Sequence, residues 1–199
     1  MVVSTFIRWS GLATVLAGVL FLIVEFLELF ALDLENLGAQ AATGTFAFWA
    51  GLFLLTTVLL LLGLVGLYFY QSEAAGVLGL AGFLVAFLGT VLAAGASWAL
   101  LFAVPLAPEV LGTPWLFLSF LIFTVGWLLF GVATLRARVF PRATAVLLMV
   151  GAVLLLIPLM GWANPYIMRH LVLSVAVAWL GFDLFTGRVA QPERPEHVR

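Results

Sequence analysis

Apolar residues gather along the chain in six long runs, at positions 7–32, 44–70, 75–104, 113–135, 142–162 and 166–186, separated by short polar stretches. A helix rises ~1.5 Å per residue, so each run is long enough to cross the ~30 Å hydrocarbon layer of a bilayer. No water there can satisfy backbone N–H and C=O groups, which leaves helices or a closed barrel as the spanning structures. The short alternating strands of a barrel are absent from this pattern. The expected fold is therefore all-α, a single six-transmembrane-helix bundle occupying residues 1–188. Residues 189–199 mix proline, polar and charged side chains and are expected to form a disordered tail carrying a solvated His197.

Composition agrees with lipid as the solvent. The 199 residues are 65% hydrophobic and 9% charged, with a mean hydropathy of +1.28, and a water-facing surface needs far more charge than that. Loops of about a dozen residues or fewer leave no room for a soluble domain, which excludes nucleotide-hydrolysing and nucleic-acid-binding modules. No phosphate loop of the Gly-Lys-Ser/Thr kind occurs either. The absence of cysteine removes disulfides, thiolate metal ligands and cysteine nucleophiles. Arg8 before an apolar stretch, with Ala39-Gln40-Ala41 after it, has the outline of a signal peptide. The stretch is too long for one and carries two glutamates, so retention as a span is expected.

All eight basic residues are arginine, and seven of them fall on one side of a six-span arrangement. Arg8 precedes the first run, Arg136, Arg138 and Arg142 flank the fourth turn, and Arg188, Arg194 and Arg199 follow the last run. Positive charge beside spans is retained in the cytoplasm, so both termini are expected inside, in the cytoplasmic (inner) membrane of a bacterium. The opposite loops carry Asp33, Glu35 and Glu109 and no arginine. Arg169 breaks the rule, opening the sixth run at its outer end beside His170. Glu25 and Glu28 lie at a matching depth, Glu28 being four residues, or ~6 Å of rise, from the end of the first run.

Spacing says which way these groups face. In the first run Gly11, Thr14, Gly18, Phe21, Glu25, Glu28 and Leu32 recur at steps of three and four, so the glutamates continue a small-residue face and look into the bundle. In the third run Gly79, Gly82, Ala86, Gly89, Ala93 and Ala96 form a stripe along which another helix can approach closely. The turns at 71–74 and 136–141 are short and imply antiparallel neighbours, and Pro158 is expected to kink the fifth helix near its outer end. Asp183 is expected to form a helix-end ion pair with Arg188 or the 136–142 turn. Trp49, Trp115, Trp162 and Tyr166, at one set of span ends, and Trp9, Tyr68 and Tyr70, at the other, are expected as interfacial belts. Trp98, Trp127 and Trp179 are deeper and are the candidates for lining a ligand cavity.

Ionisable groups at membrane depth are costly and are paired or functional. Glu25, Glu28, Arg169 and His170 are therefore the candidates for ligand binding or proton coupling, set against a structural clasp in which the basic pair relieves the buried carboxylates. Two carboxylates one turn apart in low dielectric resist ionising together, an arrangement suited to proton-coupled transport or to acid/base work on a lipophilic substrate. No catalytic residue is assigned, no cofactor is expected, and no metal is expected because no ligand-spacing signature accompanies Glu25, Glu28 and His170. A single intramembrane histidine cannot supply bis-histidine haem ligation.

The stretch Leu67-Tyr68-Phe69-Tyr70-Gln71-Ser72-Glu73-Ala74-Ala75-Gly76-Val77-Leu78-Gly79-Leu80-Ala81-Gly82-Phe83 resembles hairpins of small bacterial membrane proteins of unassigned function. Six spans with both termini inside, and Ala13-x-x-x-Ala17 in the first, resemble the substrate-binding component of energy-coupling-factor vitamin transporters. The expected function is binding or passage of a small lipophilic or amphipathic molecule, or service as a subunit of a membrane complex. The alternative is an intramembrane enzyme on lipid or isoprenoid substrates with the carboxylates as acid and base. Expected partners are membrane lipid, a small lipophilic ligand and a partner membrane subunit, and no nucleic acid.

Overall fold

A computed structural model describes residues 2–33, 36–159 and 169–187, with the side chains of 2–4, 157–159 and 169 outside the description. The described residues are mostly helical, with no strand among them: α1 (Val2–Phe30), α2 (Leu37–Gln40), α3 (Gly44–Phe102), a 3₁₀ turn (Pro108–Gly112), α4 (Pro114–Ala137), α5 (Arg142–Leu159) and α6 (Arg169–Thr186). Thr5–Phe30, Gly44–Phe102 and Pro114–Ala137 are long and apolar enough to cross a membrane, while Arg142–Leu156 and His170–Thr186 are shorter apolar helices. The expected tail at 189–199 lies outside the described residues, as do Glu35, Trp162, Tyr166 and Arg188.

The second and third apolar runs form the two arms of α3, which is broken at Gly76 by a backbone of φ 55° and ψ −147°. That conformation is open to glycine and closed to residues with a Cβ. The rings of Tyr68 and Phe83 stack 4.2 Å apart across the break. In one straight helix these residues would lie ~22 Å apart, so the arms double back on each other. The reversal therefore falls beyond the polar stretch 71–74 where a turn was expected. Gln71 is helical and fully buried, and its Nε2 donates to Thr134 Oγ1 on α4 at 3.0 Å. The 136–141 turn forms as expected, with Arg138 in the left-handed region (φ 55°) ending α4 and Pro141 preceding α5. Pro158 falls in the last turn of α5, which ends at Leu159; the chain beyond it, on which the expected kink bears, lies outside the described residues.

The long helices form a closed ring. α1 packs on the first arm of α3, the second arm on α4, α4 on α5, α5 on α6, and α6 back on α1. The α1–α6 contact is antiparallel and in step: Gly11 meets Phe185, Gly18 meets Ala178, and Glu25 meets His170. A Cβ on Gly18 would lie 2.6 Å from Ala178 N and 2.7 Å from Ser174 O, so the two backbones touch through the glycine. The stripe of the third run does the same against α4, where Gly89 abuts Phe123 and Gly126 abuts Ala86. All six residues of that stripe are buried, as are all seven of the first-run face. Close backbone approach through small residues is how helices associate where burial of apolar surface brings no gain.

Hydroxyls on these faces turn back to their own helices. Thr14 donates to Ser10 O, Thr90 to Ala86 O and Ser97 to Ala93 O, each at 2.7 Å, so these three buried donors are satisfied within their own helices. The outward faces are apolar, with Leu16, Phe26, Phe30, Leu62, Leu84 and Leu88 all exposed.

Candidate functional site

The helices of the ring line a partly open cavity of about 480 Å³. Every long helix reaches it: Phe21 and Glu28 from α1, Trp49, Phe53 and Thr57 from the first arm of α3, and Ala93 and Leu100 from the second. Phe120 and Phe123 come from α4, Leu155 from α5 and His170 from α6. Leu37 of α2 and residues 111–114 close one end, where α2 packs on the 3₁₀ turn. A side-chain clip holds that closure, as Gln40 Nε2 donates to Asp33 O at 2.9 Å and the Asp33 N–H donates to Gln40 Oε1 at 3.3 Å. The volume falls in the range of sites for small molecules, whose walls are mostly apolar with a few fixed polar groups.

Here the fixed polar groups are a cluster that the sequence spacing anticipates. Glu25, Glu28 and His170 are all buried, at 4%, 4% and 7% exposure. Glu25 Oε2 lies 2.6 Å from His170 Nδ1 and also accepts the backbone N–H of His170 at 3.2 Å. That N–H belongs to the first turn of α6, where backbone donors have no partner within the helix. Glu25 therefore caps α6 from another helix and places negative charge at the positive end of its dipole. Glu28 Oε2 is 3.7 Å from the same Nδ1, while its Oε1 accepts the Trp49 indole N–H at 3.3 Å.

The imidazole is fixed by more than its hydrogen bond. Phe21 stacks on it at 5.7 Å with 15° between planes, and Phe53 lies 6.3 Å away. Phe53 in turn stacks with Trp49 and Phe120, both at 6.0 Å. The two glutamates thus divide their work. Glu25 anchors the ring and the start of α6, and Glu28 with His170 presents the polar end of the cavity wall.

Donor atoms of the three residues lie within 4.8 Å of one another. Two ligands on one ion at ~2.0–2.1 Å bonds sit ~3.3 Å apart at a tetrahedral angle. The 2.6 Å between Nδ1 and Oε2 is shorter than that and matches a hydrogen bond with a proton between the atoms.

Compared with family models, curated proteins and solved structures, the chain matches none. The resemblances drawn from sequence accordingly rest on the residues quoted for them.

Of the candidates expected from sequence, Glu25, Glu28 and His170 come together. Arg169 opens α6, and its side chain lies outside the described residues. The deep tryptophans do not line the cavity. Trp98 and Trp179 are 55% and 41% exposed on outward faces, and Trp127 is fully buried between α3 and α4, donating to Thr90 Oγ1 at 3.1 Å. Among the described residues the tryptophan on the cavity wall is Trp49, which was expected in an interfacial belt. Its depth matched a belt, but its face of the helix points inward, and depth alone does not give the face.

Proposed function

We propose that this chain is a six-span protein of a bacterial cytoplasmic membrane that binds a small amphipathic molecule in its central cavity, with both termini on the cytoplasmic side. The observation that carries the reading is the cavity itself, walled by Phe21, Phe53, Phe120 and Phe123, with Glu28 and His170 at one place on the wall. An apolar body with a single polar head fits such a surface, and the polar pair fixes its orientation. The topology rests on charge: Arg8, Arg136, Arg138 and Arg142 lie at one end of the ring, Asp33 and Glu109 at the other. Passage of the molecule, or its delivery to a partner subunit, is compatible with the same site.

A second reading is favoured by the Glu25–His170 pair. A carboxylate holding Nδ1 leaves Nε2 as the basic atom of an imidazole on the cavity wall, the arrangement of a general base. On this reading the protein is an intramembrane enzyme acting on a lipid or isoprenoid substrate.

The test is mass spectrometry of small molecules extracted from protein purified out of its own membrane. A cavity-filling variant, Leu155→Trp, is expected to lose the molecule that wild-type protein retains, while Val153→Trp on the exposed face of α5 keeps it. Equal retention by both variants counts against the cavity as the site. A retained molecule that appears chemically converted on incubation favours the enzyme, and an unchanged one favours binding.

A further inference from the structure

At the other end of the α1–α6 contact from Glu25 and His170, the two helices line a second cavity, of about 320 Å³. Its wall is Thr5, Arg8, Trp9 and Leu12 of α1 with Phe185 of α6. Steps of three and four put the four α1 residues on one face of that helix. Gly11 admits the partner helix there: a Cβ on it would lie 2.6 Å from Phe185 N, so the α6 backbone lies against α1 within one turn of Arg8. The Phe185 ring sits beneath Arg8, whose Cζ is 5.6 Å from the ring centroid. An aromatic face attracts a guanidinium at that distance but gives its N–H donors no acceptor lone pair.

Arg8 is exposed, and it takes no part in the ion pairs among the described residues, which join His170 to Glu25 and Glu28. A guanidinium presents its donors as a planar fork that matches two oxygens of a phosphate. The surrounding charge favours an anion as well. At this end of the ring the described charged residues are Arg8, Arg136, Arg138 and Arg142, all exposed, against Glu73 and a buried Asp183. Away from Thr5 and Arg8 the cavity wall is apolar, and beyond Leu12 the same face of α1 continues as Leu16, Val19 and Ile23, all exposed. From Leu12 to Ile23 that stripe runs ~16 Å, about half the thickness of a hydrocarbon layer. A phosphate head carrying an apolar chain of one leaflet's length matches both parts, whereas a soluble anion matches only the first.

We propose that this second cavity is a binding site for one acidic phospholipid, its phosphate on the Arg8 guanidinium, its headgroup beside Thr5 and Trp9, and one acyl chain along Leu12, Leu16, Val19 and Ile23. The site selects by charge. Phosphatidylglycerol brings one net negative charge to Arg8, whereas the ammonium of phosphatidylcholine or phosphatidylethanolamine offsets its own phosphate and meets a cation.

The test adds lipid to the full chain in detergent and reads the first lipid adduct by native mass spectrometry, with dioleoyl phosphatidylglycerol, phosphatidylethanolamine and phosphatidylcholine as probes. Glycerol 3-phosphate is the soluble anion set in competition with phosphatidylglycerol. Expected is a Kd for phosphatidylglycerol at least about fivefold below that for either of the other lipids, with no displacement by millimolar glycerol 3-phosphate. Arg8→Ala is expected to abolish that preference and Arg8→Lys to preserve it, which separates loss of charge from loss of fold. Arg142→Ala removes an exposed arginine at the same end but outside the cavity wall, and is expected to leave the preference unchanged. Equal affinity for the three lipids overturns the proposal. So does an equal loss of preference in Arg8→Ala and Arg142→Ala, which assigns it to diffuse charge and not to this cavity. Displacement by glycerol 3-phosphate overturns the lipid as the occupant in favour of a soluble phosphate.

Discussion

Glu25 holds α6 by two bonds, one to the backbone N–H of His170 and one to its ring, and a double-mutant cycle separates them. Glu25→Ala removes both from a buried position. Hydrogen bonds to a charged group are worth about 1.5–3 kcal/mol each, and a carboxylate at a helix N-terminus adds about 0.3–1 kcal/mol. Allowing for overlap between those terms, the loss is expected at about 3–4 kcal/mol. His170→Ala removes the ring bond and the stacking on Phe21, but leaves the backbone bond intact. The coupling between the two changes isolates the ring bond and is expected at about 1.5–3 kcal/mol. Glu25→Gln keeps an acceptor for the backbone donor and is expected to cost less than Glu25→Ala. Reversible unfolding in mixed micelles, or steric trapping in bicelles, measures all four states of the cycle. If the single losses add to within about 0.5 kcal/mol, the ring and the carboxylate are not coupled and the anchoring role assigned to Glu25 is wrong.

Other expectations follow from single contacts. Gly18→Ala puts a methyl 2.6 Å from Ala178 N and is expected to destabilise by about 1–3 kcal/mol, whereas Gly95→Ala, with open space around its Cβ, is expected to be neutral or to raise the melting temperature. Gly76→Ala forces a side chain into the φ 55°, ψ −147° conformation and is expected to lose about 1–3 kcal/mol by the same unfolding assay; an unchanged midpoint would refute a strained reversal there. Trp49→Phe removes the donor to Glu28 Oε1 and is expected to cost about 1–3 kcal/mol, more than Trp98→Phe on the outward face. Equal effects of the two tryptophan changes would contradict the inward role of Trp49.

Much of this arrangement is legible in the chain because helical spacing carries azimuth. Steps of three and four placed Glu25 and Glu28 on the face that begins with Gly11 and Gly18, and that face is buried along its length. Arginine placement and run length matched the depth of the glutamates to that of His170, which the antiparallel α1–α6 contact turns into a hydrogen bond. Two features escaped. The tryptophans were sorted by depth along their helices, and depth does not distinguish the inward Trp49 from the outward Trp98. The reversal of α3 was placed at Gln71-Ser72-Glu73-Ala74 because polar residues mark turns in water-facing loops. Gln71 instead stays helical to reach Thr134, and the break falls at the nearest residue able to take a positive φ, Gly76. The cavity had no sequence signature, since it comes from Phe, Leu and Thr side chains that individually read as core.

The most direct measurement is an experimental density map of protein purified from its own membrane without added ligand. Density for a small molecule is expected within the ring, its polar end within hydrogen-bonding distance of Glu28 and His170 and its body against Phe53 and Phe120. Helices closed onto one another with the cavity filled by side chains, or bound molecules found on outward faces alone, would contradict a ligand site at the centre of this fold.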